Sequence, residues 1–263
     1  MICNDPAITY LKDFGYSVVR LPRRDFAPRQ ILVGSGKALD NLGMLDTVMV
    51  AGPVLPPVKP NETAANISGQ RTSDLSLGVG LNILGNVIGA MGGGKLGLDV
   101  AYKNARSVAF EFAGVLRDSI EIAALDKYLG SVDVDPAAKH IGDLLDSDDV
   151  YVVTAVIKSA KFSVAAKRED GASLAVDVPT IQQVVGGNVK LSGNASAGGA
   201  VTYEGSEPLV FGFQAVRLYY DEGHYTAFEP VPPGDVSARE IATRLVPERV
   251  HLLATPGAFV GLR

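Results

Sequence analysis

From residue 75 to residue 83 the chain alternates strictly. Leu75, Leu77, Val79, Leu81 and Ile83 fall on one side, and Ser76, Gly78, Gly80 and Asn82 on the other. A period of two predicts a strand over 75–83. The pattern then changes to Leu84, Val87, Ile88 and Met91, a short helical stripe. Alternation returns with Leu96, Leu98, Val100 and Tyr102, and again with Val108, Phe110 and Phe112. A second strand is therefore expected over 96–112.

The rest of the chain divides in the same way. A short helix is expected over 6–19, followed by a strand near 16–21. The four prolines of 52–60 predict a loop or extended edge, and the polar stretch 61–74 a loop or short strand. A helix is predicted at about 115–129, and a second, acidic helix or loop over 133–149. The run 150–167 reads as a long strand that breaks at the turn sequence 168–171. Alternation at Ala172, Leu174, Val176 and Val178 predicts more strand. A short helix is expected over 180–186, a strand over 188–203 and a clear strand over 207–221. After the proline-rich break 230–235, Ser237 and Glu240 match a capping box, which predicts a helix to about Leu245. The apolar end of the chain reads either as a strand that completes the core or as a detachable cover.

Two regions stand out, 75–112 and 150–203. Each has small residues on one side and apolar residues on the other. Each is long beside the usual strand of about 5–6 residues. A membrane-spanning strand needs roughly 9–11 residues with one apolar face. Two readings stand: ordinary amphipathic sheet in a soluble α+β domain, or strands that enter a membrane. The run 75–94 carries no charge and has the length of a spanning helix. Seven of its twenty residues are glycine, each costing up to about 1 kcal/mol inside a helix, and this opposes a transmembrane helix.

Composition narrows the function classes. The chain has 263 residues, net charge −5, pI near 5.3 and positive mean hydropathy, +0.18. No basic stripe supports nucleic-acid binding. Gly89, Gly94 and Lys95 fit a phosphate-binding loop, but position 96 is Leu where the motif requires a hydroxyl. Alternation also resumes where the motif requires a helix, so these glycines read as a flexible hairpin tip. Three scattered histidines and one cysteine make no zinc pattern. No catalytic constellation is present and no metal site is expected. That points to a binding, structural or membrane-acting protein rather than an enzyme.

The one cysteine is Cys3. Asp5, Lys12 and Asp13 interrupt any signal-peptide apolar region, and Ile2 excludes N-myristoylation. Absence of an export signal and of a second cysteine fits a reducing cytoplasm. The thiol is either incidental or S-acylated.

The N-terminal block YLKDFGYSVVRLPRRDFAPRQILV (10–33) resembles the gasdermin pore-forming domain. The matching positions are Val18, Val19, Arg20, Leu21 and Pro28. The resemblance is stronger to the short bacterial gasdermins, which share a terminal helix like YLKDFGY and a cysteine within the first few residues.

That resemblance implies an α+β fold, a twisted antiparallel sheet with surrounding helices. Residues 1–233 would be the pore-forming domain and 234–263 an autoinhibitory C-terminal peptide. A caspase-like or other protease would remove the peptide, with Arg239, Arg244 and Arg249 as candidate cleavage positions. The freed domain would form a homo-oligomeric ring, pass from the cytoplasm to the inner membrane and kill the cell in anti-phage defence. Palmitate on Cys3 is implied, and no other cofactor. The membrane-inserting candidates are Leu75, Leu77, Val79, Leu81, Ile83, Leu96, Leu98, Val100, Val108, Phe110, Val153, Ile157, Val189 and Leu191. Arg20, Arg23, Arg24 and Arg29 form a basic cluster, read either as a solvated loop or as a contact with anionic lipid.

Overall fold

A computed structural model describes residues 11–231 and 261–262, apart from Lys12, Gly36, Lys37, Ser73, Ser147, 195–198 and Glu222. For a few of these, Arg20 and Leu262 among them, only the backbone is described.

Two long antiparallel strands form the spine, β8 (Val150–Lys167) and β11 (Ala200–Asp221). They pair from Val201↔Val164 to Arg217↔Tyr151. Bulges break the ladder, one of them between Glu204 and Leu209. Pro208 lies in that bulge, where its missing N–H costs no ladder bond. Shorter strands line the outer edges of this pair. On β11 lie β1 (Ser17–Arg23), β10 (Lys190–Asn194) and β12 (His224–Pro230). On β8 lie β2 (Gln30–Ser35), β6 (Ser107–Ala113), β7 (Leu116–Ser119) and β9 (Ser173–Leu174). β3 (Ala38–Met44) extends the sheet beyond β2, β4 (Lys59–Thr63) beyond β7 and β5 (Leu75–Ser76) beyond β6. The last strand, β13 (Gly261–Leu262), pairs in parallel with the edge of β3 through Ala38 and Leu39. The described sheet thus has thirteen strands, in an α+β architecture as expected.

Helices pack at both ends of the spine. At one end, α1 (Leu77–Ala90), α2 (Leu98–Ala101) and α5 (Val178–Val185) cover β6 and the adjoining halves of β8 and β11. At the other, α3 (Ile122–Leu129) and α4 (Lys139–Asp146) pack on Ile31, Val150, Val152, Val216 and Leu218.

The strands expected at 150–167 and 207–221 form, as does the turn at 168–171, where Gly171 has φ 78°, whereas of the strand expected over 96–112 only the part from Ser107 onward forms. Several other expectations are overturned. The strand predicted over 75–83 shrinks to Leu75–Ser76, and Leu77, Val79, Leu81 and Ile83 lie in α1. These leucines also satisfy a period of 3.6 with Leu84, Ile88 and Met91, and the sheet beneath selects that period. Leu96, Leu98 and Val100 form no strand. Gly97 turns the chain at φ 82°, α2 follows, and Tyr102 drops into the core. The helix expected from 115 begins only at Ile122, because 116–119 pair with Lys158, Ile157, Val156 and Ala155 of β8. Only Ser173–Leu174 of the 172–178 alternation pairs, and Pro179 stands in the first turn of α5. The segment 188–203 contains β10 and the start of β11 as partners, not one strand.

Candidate functional site

The region that the sequence singles out is the end of the sheet covered by α1, α2 and α5. Beneath them lie Val108 and Phe110 of β6, Phe162, Val164 and Ala166 of β8, and Val201 and Tyr203 of β11. In α1, Leu84, Val87 and Ile88 are buried against this surface, with Met91 just beyond its end. Burial of one such side chain is worth about 1.5–3 kcal/mol.

Small residues set how closely the cover sits. At Gly80 an added Cβ would lie 2.0 Å from Val108 Cγ2. At Gly94 it would lie 2.7 Å from the Val184 carbonyl oxygen, and at Gly93 3.0 Å from that of Val185. Gly94 N–H donates to the Val185 carbonyl at 2.9 Å, and Asn188 Nδ2 donates to the Gly92 carbonyl at 3.0 Å. The glycine run is therefore packed on the end of α5, and is not the free hairpin tip expected. Lys95 lays its stem near Gly85 and Gly89. A helix precedes it and a four-residue helix follows, so the strand–loop–helix context of a phosphate loop is absent here.

Aromatic rings fill the middle of the site. The Tyr102 and Tyr203 hydroxyls share a buried hydrogen bond of 2.8 Å. Tyr203 stacks on Phe162 at 5.0 Å and Phe112 on Phe211 at 4.0 Å. Charged pairs lie around the rim: Lys161 of β8 with Glu204 of β11 at 3.7 Å, and, at the strand ends, Arg106 with Glu169 at 2.9 Å and Lys167 with Asp74 at 2.7 Å. All three are exposed, so each contributes at most about 1 kcal/mol. Lys158 and Asp118 are more enclosed, 2.5 Å apart, and Asn61 N–H also donates to Asp118 at 2.7 Å.

The structure gathers most, not all, of the membrane-inserting candidates. Leu75, Leu98, Val108, Phe110 and Val189 are buried in one cluster, and Leu77, Leu81, Ile83 and Leu191 pack against it. Val79, Leu96 and Val100 belong to the same segment but are 40%, 89% and 61% exposed. Val153 and Ile157 lie in the other half of β8 and pack in separate clusters. Two of the basic candidates differ in their surroundings. Arg24 pairs with Glu207 at 3.0 Å, whereas Arg29 is half-buried, holds φ at 72° and leaves its buried Nε without a partner. Cys3, Arg239, Arg244 and Arg249, and the helix expected after Ser237, lie outside the described residues. Among the described residues no group of three His, Cys, Asp or Glu is placed to hold a metal. Among them, too, no helix is long and apolar enough to cross a membrane.

Sequence reasoning missed the self-covering arrangement. Its signal was present: Leu77, Leu81, Leu84, Ile88 and Met91 run at helical spacing through the alternating segment. The hydrogen bond between Tyr102 and Tyr203 had no signal, since 101 positions separate the two.

A profile of the Bacterial Gasdermin Family matches residues 19–224. The chain is 51% identical to Gasdermin bGSDM of a Desulfuromonadales bacterium over 264 aligned positions, covering 100% of this chain and 99% of the relative. It is 42% identical to Gasdermin bGSDM of Lysobacter enzymogenes, covering 91% and 89%. Among solved structures, that of a bacterial gasdermin from Bradyrhizobium tropiciagri superposes with TM-score 0.65 at 15% identity, covering 98% of this chain and 96% of the other.

Proposed function

The chain belongs to the bacterial gasdermin family, and from that membership we propose that it is a pore former held shut by its C-terminal segment and opened by proteolysis. A caspase-like or other protease cuts between residues 234 and 250, at Arg239, Arg244 or Arg249. Residues 1–233 then assemble on the membrane. The segments around 75–112 and 150–203 refold into β-hairpins, and a ring of subunits closes the barrel. Only closure satisfies every backbone hydrogen bond in lipid. The resting chain is cytoplasmic, the open ring lies in the inner membrane, and the outcome is cell death as anti-phage defence. The function is that of a pore and not of an enzyme.

One observation carries this reading. The apolar half of the sheet is covered by a helix of the same chain that is also written as a strand. α1 buries Leu84, Val87 and Ile88, yet its first half alternates without a break. Such a segment can exchange one cover, its own helix, for another, the lipid. The C-terminal strand supports the restraint. β13 holds the edge of β3 by two residues, next to β1, which is little to hold once the covalent link is cut.

Cys3 carries palmitate in this scheme. A single acyl chain gives only marginal, reversible membrane binding, so it aids insertion and does not tether the resting chain.

The test is dye leakage from phosphatidylglycerol–phosphatidylethanolamine vesicles by the full chain carrying a site-specific protease sequence within 234–250. Leakage is expected only after cleavage. Cleavage without leakage would refute the pore and leave a soluble scaffold. Intact mass spectrometry of protein from its native host tests Cys3, and an unmodified mass removes the lipid.

A further inference from the structure

Resting on the pore-forming reading, we infer that the two-residue pair between β5 and β6 is a register template, which sets how residues 75–108 zip into the first hairpin. In the resting fold Leu75 stands opposite Val108 and Ser76 opposite Ser107. Leu75 and Val108 are buried in the helix-covered cluster, whereas Ser76 is exposed. The pair therefore fixes both a register and a side.

An antiparallel ladder pairs residues that step equally in opposite directions. Continuing from the observed rungs places Leu77 opposite Arg106, Val79 opposite Asn104, Leu81 opposite Tyr102, Ile83 opposite Val100 and Val87 opposite Leu96. The midpoint of the ladder falls between Met91 and Gly92, inside the run Met91, Gly92, Gly93, Gly94. A two-residue turn would put Met91 at a position that needs positive φ, so the chain reverses through the four residues 90–93 after the rung of Gly89 opposite Gly94, and within that loop Gly92 already has φ 84°. Each strand exceeds the roughly 9–11 residues that a tilted membrane strand needs.

The side chains sort by the same operation. One face receives Leu75, Leu77, Val79, Leu81, Ile83 and Val87 from the first strand and Leu96, Leu98, Val100, Tyr102 and Val108 from the second. The other receives Ser76, Gly78, Gly80 and Asn82 together with every Lys and Asp of 75–105, namely Lys95, Asp99 and Lys103. Arg106 and Asn104 fall on the apolar face, but on the rungs nearest the existing ladder, at the membrane edge, where charge is tolerated far better than at mid-depth. Leu84 and Ile88 fall on the polar face and are the exceptions.

This accounts for an oddity of the resting fold. Val79, Leu96 and Val100 are apolar yet 40%, 89% and 61% exposed, so the closed state leaves much of their apolar surface to water. All three land on the apolar face of the hairpin. The neighbouring ladder agrees: Val108↔Ala166, Phe110↔Val164 and Phe112↔Phe162 continue the apolar face from β6 onto β8. A slip of one residue on either strand would put that strand's side chains on the wrong face.

The test is cross-linking on cleavage, using the full chain with the site-specific protease sequence and the same vesicles. Val79→Cys is combined in turn with Lys103→Cys, Asn104→Cys and Arg106→Cys, all at positions exposed in the resting fold. Directly opposite residues have Cα atoms about 4.5–5.5 Å apart, within reach of a disulfide. Peptide mass mapping separates the engineered bond from any involving Cys3. The pair with Asn104→Cys should gain cross-link several-fold on cleavage, with the other two near their uncleaved level. A second rung, Asn82→Cys with Ala101→Cys, should behave likewise and guards against loss of one variant. Leakage accompanied by a maximum at Lys103→Cys or Arg106→Cys, or by equal yields, overturns the template while leaving the pore intact. Cleavage without leakage in the parent chain overturns both.

Discussion

Tyr102 and Tyr203 meet hydroxyl to hydroxyl at 2.8 Å in the core, and so tie the end of α2 to β11. Each oxygen has this partner in a place that water does not reach, since both residues are fully buried.

The first prediction follows from that pairing. Tyr102→Phe or Tyr203→Phe alone leaves one buried hydroxyl without a partner, at a cost of about 1–3 kcal/mol. The double variant removes both and should cost less than the two singles added together. Urea denaturation of the full chain measures the coupling. Additive losses would mean that the hydrogen bond is not the link.

The glycines of α1 should respond in opposite ways. Gly80→Ala places a methyl 2.0 Å from Val108 Cγ2, and overpacking of this kind costs about 1–3 kcal/mol. Gly78→Ala meets nothing within 4 Å and should stabilise the resting fold by up to about 1 kcal/mol through helix propensity. A thermal melt of each variant separates contact from propensity.

Ion pairs should divide by enclosure. Asp118→Ala strands Lys158, whose side chain is only 16% exposed, and also frees the Asn61 N–H. A loss of about 1–3 kcal/mol is expected. Asp74→Ala breaks an exposed pair with Lys167 and should cost less than about 1 kcal/mol. Added salt should weaken the second pair far more than the first, as denaturation at low and high ionic strength will show.

High pH should loosen β12. Tyr225 donates to Asp126 at 2.6 Å. Burial first, and then this hydrogen bond and the carboxylate charge, raise its pKa above the ordinary 10.0. A raised folded-state pKa gives stability that is complete below the unfolded value and is lost as pH rises through the folded one. Stability should therefore fall from about pH 10 upward. Other buried tyrosines with raised pKa values, Tyr102, Tyr203 and Tyr220 among them, contribute to the same fall, so Tyr225→Phe should reduce it by one tyrosine's share and cost roughly 1 kcal/mol or less at neutral pH, the residue being partly exposed. Unfolding midpoints from pH 8 to 11 decide it.

Much of the fold was legible in the sequence because it rests on local rules. The long strand Val150–Lys167 could be read from unbroken apolar and β-branched residues, and the turn after it from Arg168, Glu169, Asp170 and Gly171. The segment 75–90 was singled out by its pattern, and its state in the resting fold was misread. Leu77, Val79, Leu81 and Ile83 alternate as a strand does, yet they lie in a helix. The unpatterned contacts were out of reach: Arg24 with Glu207, Lys158 with Asp118, and Arg29 half-buried at positive φ. These join residues whose separation along the chain says nothing about their separation in space.

The sequence by itself determined the periodicities, the turns and the supply of apolar residues to two long segments, because each depends only on neighbours along the chain. Only the tertiary structure decided which period 77–90 obeys. The apolar face built by Val108, Phe110, Phe162, Val164 and Tyr203 has to be covered. A helix covers it at the closed end of the sheet, whereas a strand would leave it bare to water.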